Sequence, residues 1–234
     1  MMAKQFLFIL LPFALASMSY RQQPQNHAPV VKIIAPANNA GFSPGAQVSY
    51  QVSVADKEDG DTRYDEINVK EIVLELQYVK DKAKASAMVN KPFDDAPGLA
   101  VMRSSNCFNC HDFNGKSIGP SFLEISKRYP ATTANTDSLV KRVKDGSAGI
   151  WGLREKMPPH PELSAQEIKS AIQWIFKNAA DQGMMYYDAT PGIIRLPAIK
   201  TGAYVLTASY TDHGIKNTAE KHLTGYDRIV IVAK

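Results

Sequence analysis

Two hydrophobic rhythms alternate along this chain. Val48, Tyr50, Val52 and Val54 fall at every second position, as do Ile72, Leu74, Leu76 and Tyr78, and that is the period of a strand with one buried face. The same period returns late in the chain, over Gly192 to Leu196, at Tyr204, Leu206 and Ala208, and over Asp227 to Ala233. Asn38-Asn39, Pro44-Gly45, Asp59-Gly60 and Asp212-His213-Gly214 supply turns between these runs. The middle of the chain repeats at helical spacing instead. Asp94 to Ser104 predicts a first helix, and Pro120 opens a second through Phe122, Leu123 and Ile125. Asp137 to Asp145 predicts a third, closed by Gly146. In the fourth, Ser164 with Glu167 forms a capping box and Leu163 staples onto Ile168. Ile168, Ala171, Ile172, Ile175, Phe176 and Ala179 then make one apolar stripe.

Three strands before the helices and three after them are too few to stand alone on either side. The expectation is one antiparallel β-sandwich assembled from both flanks, residues 29–87 and 186–234, with an all-α domain over residues 88–185 inserted in a connection. Insertions are tolerated at exposed loops whose ends lie close together.

Composition refines this picture. The 234 residues are 44% hydrophobic and 21% charged, ordinary for a globular chain that buries a core without disulfides. A net charge of +4 with no dense basic run excludes nucleic acid as an expected partner. Lys4, the short apolar run Phe6 to Ala16 and the small-residue site Ala14-Leu15-Ala16 predict a signal peptide over residues 1–16. That run is well short of the ~20 residues a membrane-spanning helix needs, so no span is expected after cleavage. Residues 17–28 predict a flexible lead-in, and the compartment is expected to be periplasmic or extracellular. Both cysteines sit within one short segment, so neither serves a disulfide framework of the usual secreted kind.

Cys107-Phe108-Asn109-Cys110-His111 reads C-x-x-C-H, the attachment sequence for c-type haem. Two thiols at this spacing can each form a thioether to one vinyl group, and His111 is then held beneath the iron by the same turn. A thioredoxin-like dithiol also uses C-x-x-C, but at a helix start after a strand. A zinc site needs four ligands, and no second cysteine pair exists. A sixth iron ligand is sought downstream. Met157 leads, because Pro158 and Pro159 forbid helix directly after it and stiffen its loop. His160, Met184 and Met185 are its rivals, and an ordinary core role for Met157 is the other alternative.

The stretch from about Pro92 to Asn178 resembles the small bacterial class I cytochromes c. The likeness rests on Cys107 to His111, Ile118-Gly119-Pro120-Ser121-Phe122, Leu139 to Gly146, Gly149-Ile150-Trp151-Gly152 and Met157-Pro158-Pro159. It implies one covalent haem c and a role for Pro120 in orienting His111, whose ring would donate to its backbone. It also implies a bond from Trp151 to a haem propionate, although the loop from Trp151 to Met157 is a residue longer than in the shortest members. The function implied is one-electron transfer rather than catalysis, with a docking ring that includes Lys116, Lys127 and Lys156. An open sixth position would instead make a peroxidase or gas sensor. A carbohydrate- or protein-binding sandwich with an accessory haem is the reading from a third class.

The flanks resemble Ig-like modules of the polycystic-kidney-disease type at Ala28 to Val31, Asp56 to Asp61 and Gly202 to Ala208. Such modules accompany cytochromes c in secreted proteins with quinone-dependent sugar dehydrogenases, which makes a dehydrogenase of that kind the implied electron donor. Asp56, Glu58, Asp59, Asp61 and Asp65 suit a hard cation such as calcium, without an EF-hand pattern, and acidic turns are commonly only solvated.

Overall fold

The alternating segments form a five-stranded sheet faced across a shared core by a three-stranded sheet and a strand pair, and the helices pack against the outer face of the five-stranded sheet. The computed structural model describes residues 25–152, 156–181, 183–188, 192–215 and 222–234. The expected signal peptide and most of the lead-in lie outside the described residues.

In chain order the first strands are β1 (Val30–Ala35), β2 (Ala40–Phe42), β3 (Gln47–Ser49), β4 (Gln51–Asp56), β5 (Gly60–Asp61) and β6 (Val73–Val79). Helices α1 (Lys82–Val89), α2 (Pro97–Ser104), α3 (Phe122–Arg128) and α4 (Thr133–Asp145) follow. A small ribbon of β7 (Ser147–Ala148) and β8 (Lys156–Met157) precedes α5 (Ala165–Asn178). The chain closes with β9 (Met184–Asp188), β10 (Ile193–Arg195), β11 (Ala203–Thr211) and β12 (Thr224–Ala233).

Strands from before and after the helices share sheets. One sheet runs β2-β12-β11-β6-β9, with β11 antiparallel to both its neighbours and β2 parallel to β12. Opposite it lie β1-β4-β5 and the pair β10-β3. Val31, Val54, Leu74, Ile194, Leu206 and Ile229 meet in the core between the sheets. Each such side chain contributes about 1.5–3 kcal/mol by leaving water.

Several boundaries differ from the sequence expectation. The run Val48 to Val54 divides at Tyr50, because β3 pairs with β10 while β4 pairs with β1. Strand β9 begins at Met184, inside the span expected to be helical, and pairs with β6. Helix α1 has no long apolar stripe, so periodicity missed it. Asp81 caps it, and its buried Ala85 rests against Ala203, Val205 and Val230. Helix α4 starts at Thr133, capped by Thr132, ahead of the expected Asp137. Pro120 precedes α3 rather than opening it; Ser121 is the cap, in a capping box with Glu124.

Strand β11 joins the two halves of the molecule. All nine of its residues are buried. Tyr204, Leu206, Ala208 and Tyr210 enter the core between the sheets, whereas Ala203 and Val205 meet α1. Farther along, Ser209 and Thr211 receive hydrogen bonds from Arg103 of α2, at 2.8 and 3.2 Å. Arg103 is completely buried and also pairs with Asp95 at 2.9 Å. A second seam is apolar: Val73 of β6 and Tyr186 of β9 pack with Leu99, Phe113 and Trp174 of the helical region. Tyr186 stacks on Phe113 at 5.2 Å and meets Trp174 edge-on at 5.0 Å. Within the helical region, Gly98 lets α2 approach α5, since a Cβ there would lie 2.2 Å from the Ser170 carbonyl oxygen.

Candidate functional site

The site begins where α2 ends. Asn106 turns the backbone through a left-handed conformation, φ 59°, and Cys107–Asn109 forms one 3-10 turn. The amides of Cys110 and His111 both donate to the Cys107 carbonyl, at 3.2 and 2.9 Å, which brings the two cysteines and the histidine together. The following loop folds back through Gly119 N to Cys110 O at 2.8 Å and Phe122 N to Asp112 O at 2.9 Å.

That fold-back fixes the His111 ring. Its Nδ1 lies 2.7 Å from the Pro120 carbonyl oxygen. A carbonyl only accepts, so Nδ1 carries the proton and Nε2 keeps its lone pair. Burial holds the imidazole below its ordinary pKa, which favours the neutral, ligating form. Gly119 is required by the same contact: a Cβ there would stand 2.7 Å from His111 Cε1. Phe122 stacks on the imidazole at 5.6 Å.

Another part of the lining comes from the ribbon after α4. Met157 on β8 pairs with Ser147 on β7, and Gly146, at φ 81°, ends the helix as the sequence suggests. His160 N donates to Val143 O at 3.0 Å, and Lys144 Nζ donates to Pro161 O at 2.7 Å, so α4 pins the proline-rich loop.

Cys107, Cys110, His111, Pro120, Trp151 and Met157 all line one cavity, together with apolar side chains from α2, α3, α4 and α5. Its empty volume is about 1200 Å³, counting the open mouth. An apolar cleft of this kind suits a large planar cofactor. Of the rival ligands, His160 bonds to Glu162 at 2.8 Å, while Met184 and Met185 pack in the seams of β9, and none of the three lines the cavity. Residues 153–155, within the loop that looked long, lie outside the described residues.

Burial pushes the Cys107 thiol up to about 12, with the neighbouring Cys110 adding to the effect. A redox dithiol needs a lowered thiol pKa, whereas that of Cys107 moves the other way. Among the described residues no three His, Cys, Asp or Glu side chains gather as a metal site, so the zinc alternative lacks its ligands.

Trp151 reaches the mouth under the guanidinium of Arg128, 4.4 Å from its ring. Arg142 and Lys156 bring positive charge to the lining, and Arg142 donates to the Tyr129 hydroxyl at 2.7 Å. Lys116 and Lys127 are exposed and lie outside the lining. Sequence reasoning did not single out Tyr129 and Arg142; their only signal was an aromatic at the end of α3 and a basic residue in the last turn of α4.

Residues 96–178 match the family described as cytochrome c. The chain is 33% identical over 78 residues to cytochrome c-551 of Azotobacter vinelandii, covering 33% of this chain and 93% of that protein. It is 34% identical over 75 residues to cytochrome c-552 of Hydrogenobacter thermophilus, covering 32% of this chain and 74% of that one. Among solved structures, wild-type cytochrome c552 of Nitrosomonas europaea aligns with a TM-score of 0.31 at 30% identity, covering 32% of this chain and 93% of that chain.

Proposed function

This chain belongs to the cytochrome c family through residues 96–178, and we propose that it is a periplasmic electron carrier whose iron is held by His111 and Met157. One covalently bound haem c is the cofactor of this family, and electron transfer its activity. The haem supplies a reversible one-electron change at iron; the protein supplies the ligands and the apolar shell that set its potential.

Cys107 and Cys110 would hold the haem through thioethers, and His111 Nε2 and the Met157 sulfur would bind its iron. The observation that carries this reading is the convergence of all four on one apolar cavity, with His111 already oriented by Pro120. Pro120 acts through that hydrogen bond, which raises the donor strength of the imidazole. Trp151 and Arg142 line the cavity and would supply N–H donors to a propionate. A thioether as the second iron ligand would favour a higher potential than a second imidazole.

The β unit is an Ig-like sandwich built from residues 29–87 and 186–234, with the haem domain, residues 88–185, inserted between them. Support comes from the five-stranded sheet, in which β6 and β11 are neighbours although the helices separate them in sequence. The donor is a secreted dehydrogenase, a reading that rests on the company such modules keep. Among the described residues no helix is long and apolar enough to cross a membrane.

The test is a pyridine haemochrome assay with a redox titration on exported protein. One haem per chain, surviving extraction with acidified acetone and titrating as a single one-electron couple, is expected. Haem that extracts freely contradicts the proposal.

A further inference from the structure

At the end of the β unit, the β4–β5 connection, the β11–β12 connection and the residues before β1 converge. We propose that Asp56, Asp212 and Asn26 form a calcium site there. Asp56 is 8% exposed and Asp212 fully buried. Oδ1 of Asp56 accepts the amides of Glu58 and Asp59, at 2.9 and 2.7 Å, but its Oδ2, also shielded from water, accepts no hydrogen bond. Asp212 Oδ1 accepts from Gly214 N and Leu223 N, at 3.0 and 2.9 Å, and Oδ2 takes Asn26 Nδ2 at 2.9 Å.

The other carboxylates of the acidic loop are engaged elsewhere. Glu58 binds His27 at 2.8 Å, and Asp59 takes the Tyr210 hydroxyl at 2.7 Å and His213 N at 2.9 Å. Asp61 caps the turn at Arg63 N, 2.7 Å away, and Asp65 closes that turn in a left-handed conformation. Asp56 is left with an idle oxygen, and Asp212 adds a like charge beside it.

Among the described residues no lysine or arginine figures in the groups acting on either carboxylate, and burial raises both pKa values. His222 stands 3.8 Å from Asp212 Oδ1, and its Nδ1 donates to the Asp212 main-chain oxygen at 2.8 Å. His213 is engaged by Asp59 and Glu71.

A buried carboxylate with an idle oxygen next to a second carboxylate is stabilised by a proton or by a cation. The donors here are oxygens, which suits a hard ion. Since no three acidic, His or Cys side chains gather there among the described residues, the shell would be completed by main-chain carbonyls, water and the Asn26 amide, whose flip would give up the bond its Oδ1 accepts from His27 N at 3.1 Å. Such an ion would tie Asn26 to loops far away in sequence, Asp212 being 186 positions on.

The experiment is thermal melting of the full-length haem-loaded protein in excess EGTA and in calcium, with a calorimetric titration of calcium. One ion per chain is expected, with a melting rise of ~5–10 °C at a hundredfold excess over the dissociation constant. Asp56→Asn and Asp212→Asn should abolish that rise and leave the haem spectrum unchanged. The wild-type comparison decides alone if a variant misfolds. Melting indifferent to calcium and EGTA overturns the proposal in favour of a shared proton, and an equal rise in magnesium also overturns it.

Discussion

Arg103→Met tests whether the haem region and the β unit unfold as one body. The wild-type guanidinium is fully buried and donates to Asp95, Ser209 and Thr211 at 2.9, 2.8 and 3.2 Å. Asp95 is engaged in turn by the Thr224 hydroxyl on β12. Methionine fills the apolar part of the space and leaves Asp95 and two hydroxyls without their donor. Removing one partner from a buried ion pair costs about 3–5 kcal/mol. For a chain of this length each kcal/mol lowers the melting temperature by ~2–4 °C, so the variant should melt ~6–20 °C below wild type. Arg103 Nε makes no hydrogen bond even in the wild type, which favours the lower half of that range. Haem absorbance and far-ultraviolet circular dichroism should report one coincident transition in wild type. Adding Asp95→Leu to Arg103→Met should recover part of the loss, because the pair is then removed whole. A single variant within ~2 °C of wild type, or two separate wild-type transitions, would refute this coupling.

Gly119→Ala places a Cβ 2.7 Å from the His111 ring, and such overpacking costs about 1–3 kcal/mol. It should retain haem, melt lower and, by loosening the bond to Pro120, raise the potential in a redox titration. His213 is held above its ordinary 6.5 chiefly by its bond to Asp59. A raised folded pKa gives stability that is fully present below pH 6.5 and lost as pH rises through the folded value. Wild type should therefore exceed His213→Gln most at about pH 6, and the gap in melting temperature should close by about pH 9. Replacing Lys116, Lys127 and Lys156 with glutamine should flatten the salt dependence of electron transfer measured by stopped flow; an unaltered dependence removes them from the docking face.

The parts of this molecule legible in its sequence are those with strong local signals. C-x-x-C-H and Met-Pro-Pro constrain a few bonds each, and the structure brings the two cysteines and both proposed iron ligands to one cavity. The capping box at Ser164 and the stripe of α5 needed no tertiary help. Tertiary pairing decided what was missed. Strand β9 carries Met-Met-Tyr-Tyr, which no period assigns, and it forms because the edge of β6 and the Phe113–Trp174 cluster receive it. Helix α1 exists through Asp81 and one buried alanine. Arg103 carries no signal within the expected first helix, because nothing local shows that β11 supplies Ser209 and Thr211. The acidic loop was legible as acidic, but the groups that engage it lie outside it, His27 before the loop on Glu58 and Tyr210 and His213 far after it on Asp59.

The sixth iron ligand is the claim on which electron transfer without catalysis depends, and carbon monoxide tests it most directly. Ferrous wild-type protein should keep its low-spin spectrum unchanged under carbon monoxide at neutral pH, and Met157→Ala should take up the gas with a clear shift of its main absorption band. A wild-type spectrum that shifts like the variant's would contradict a closed iron and return the open-site alternatives.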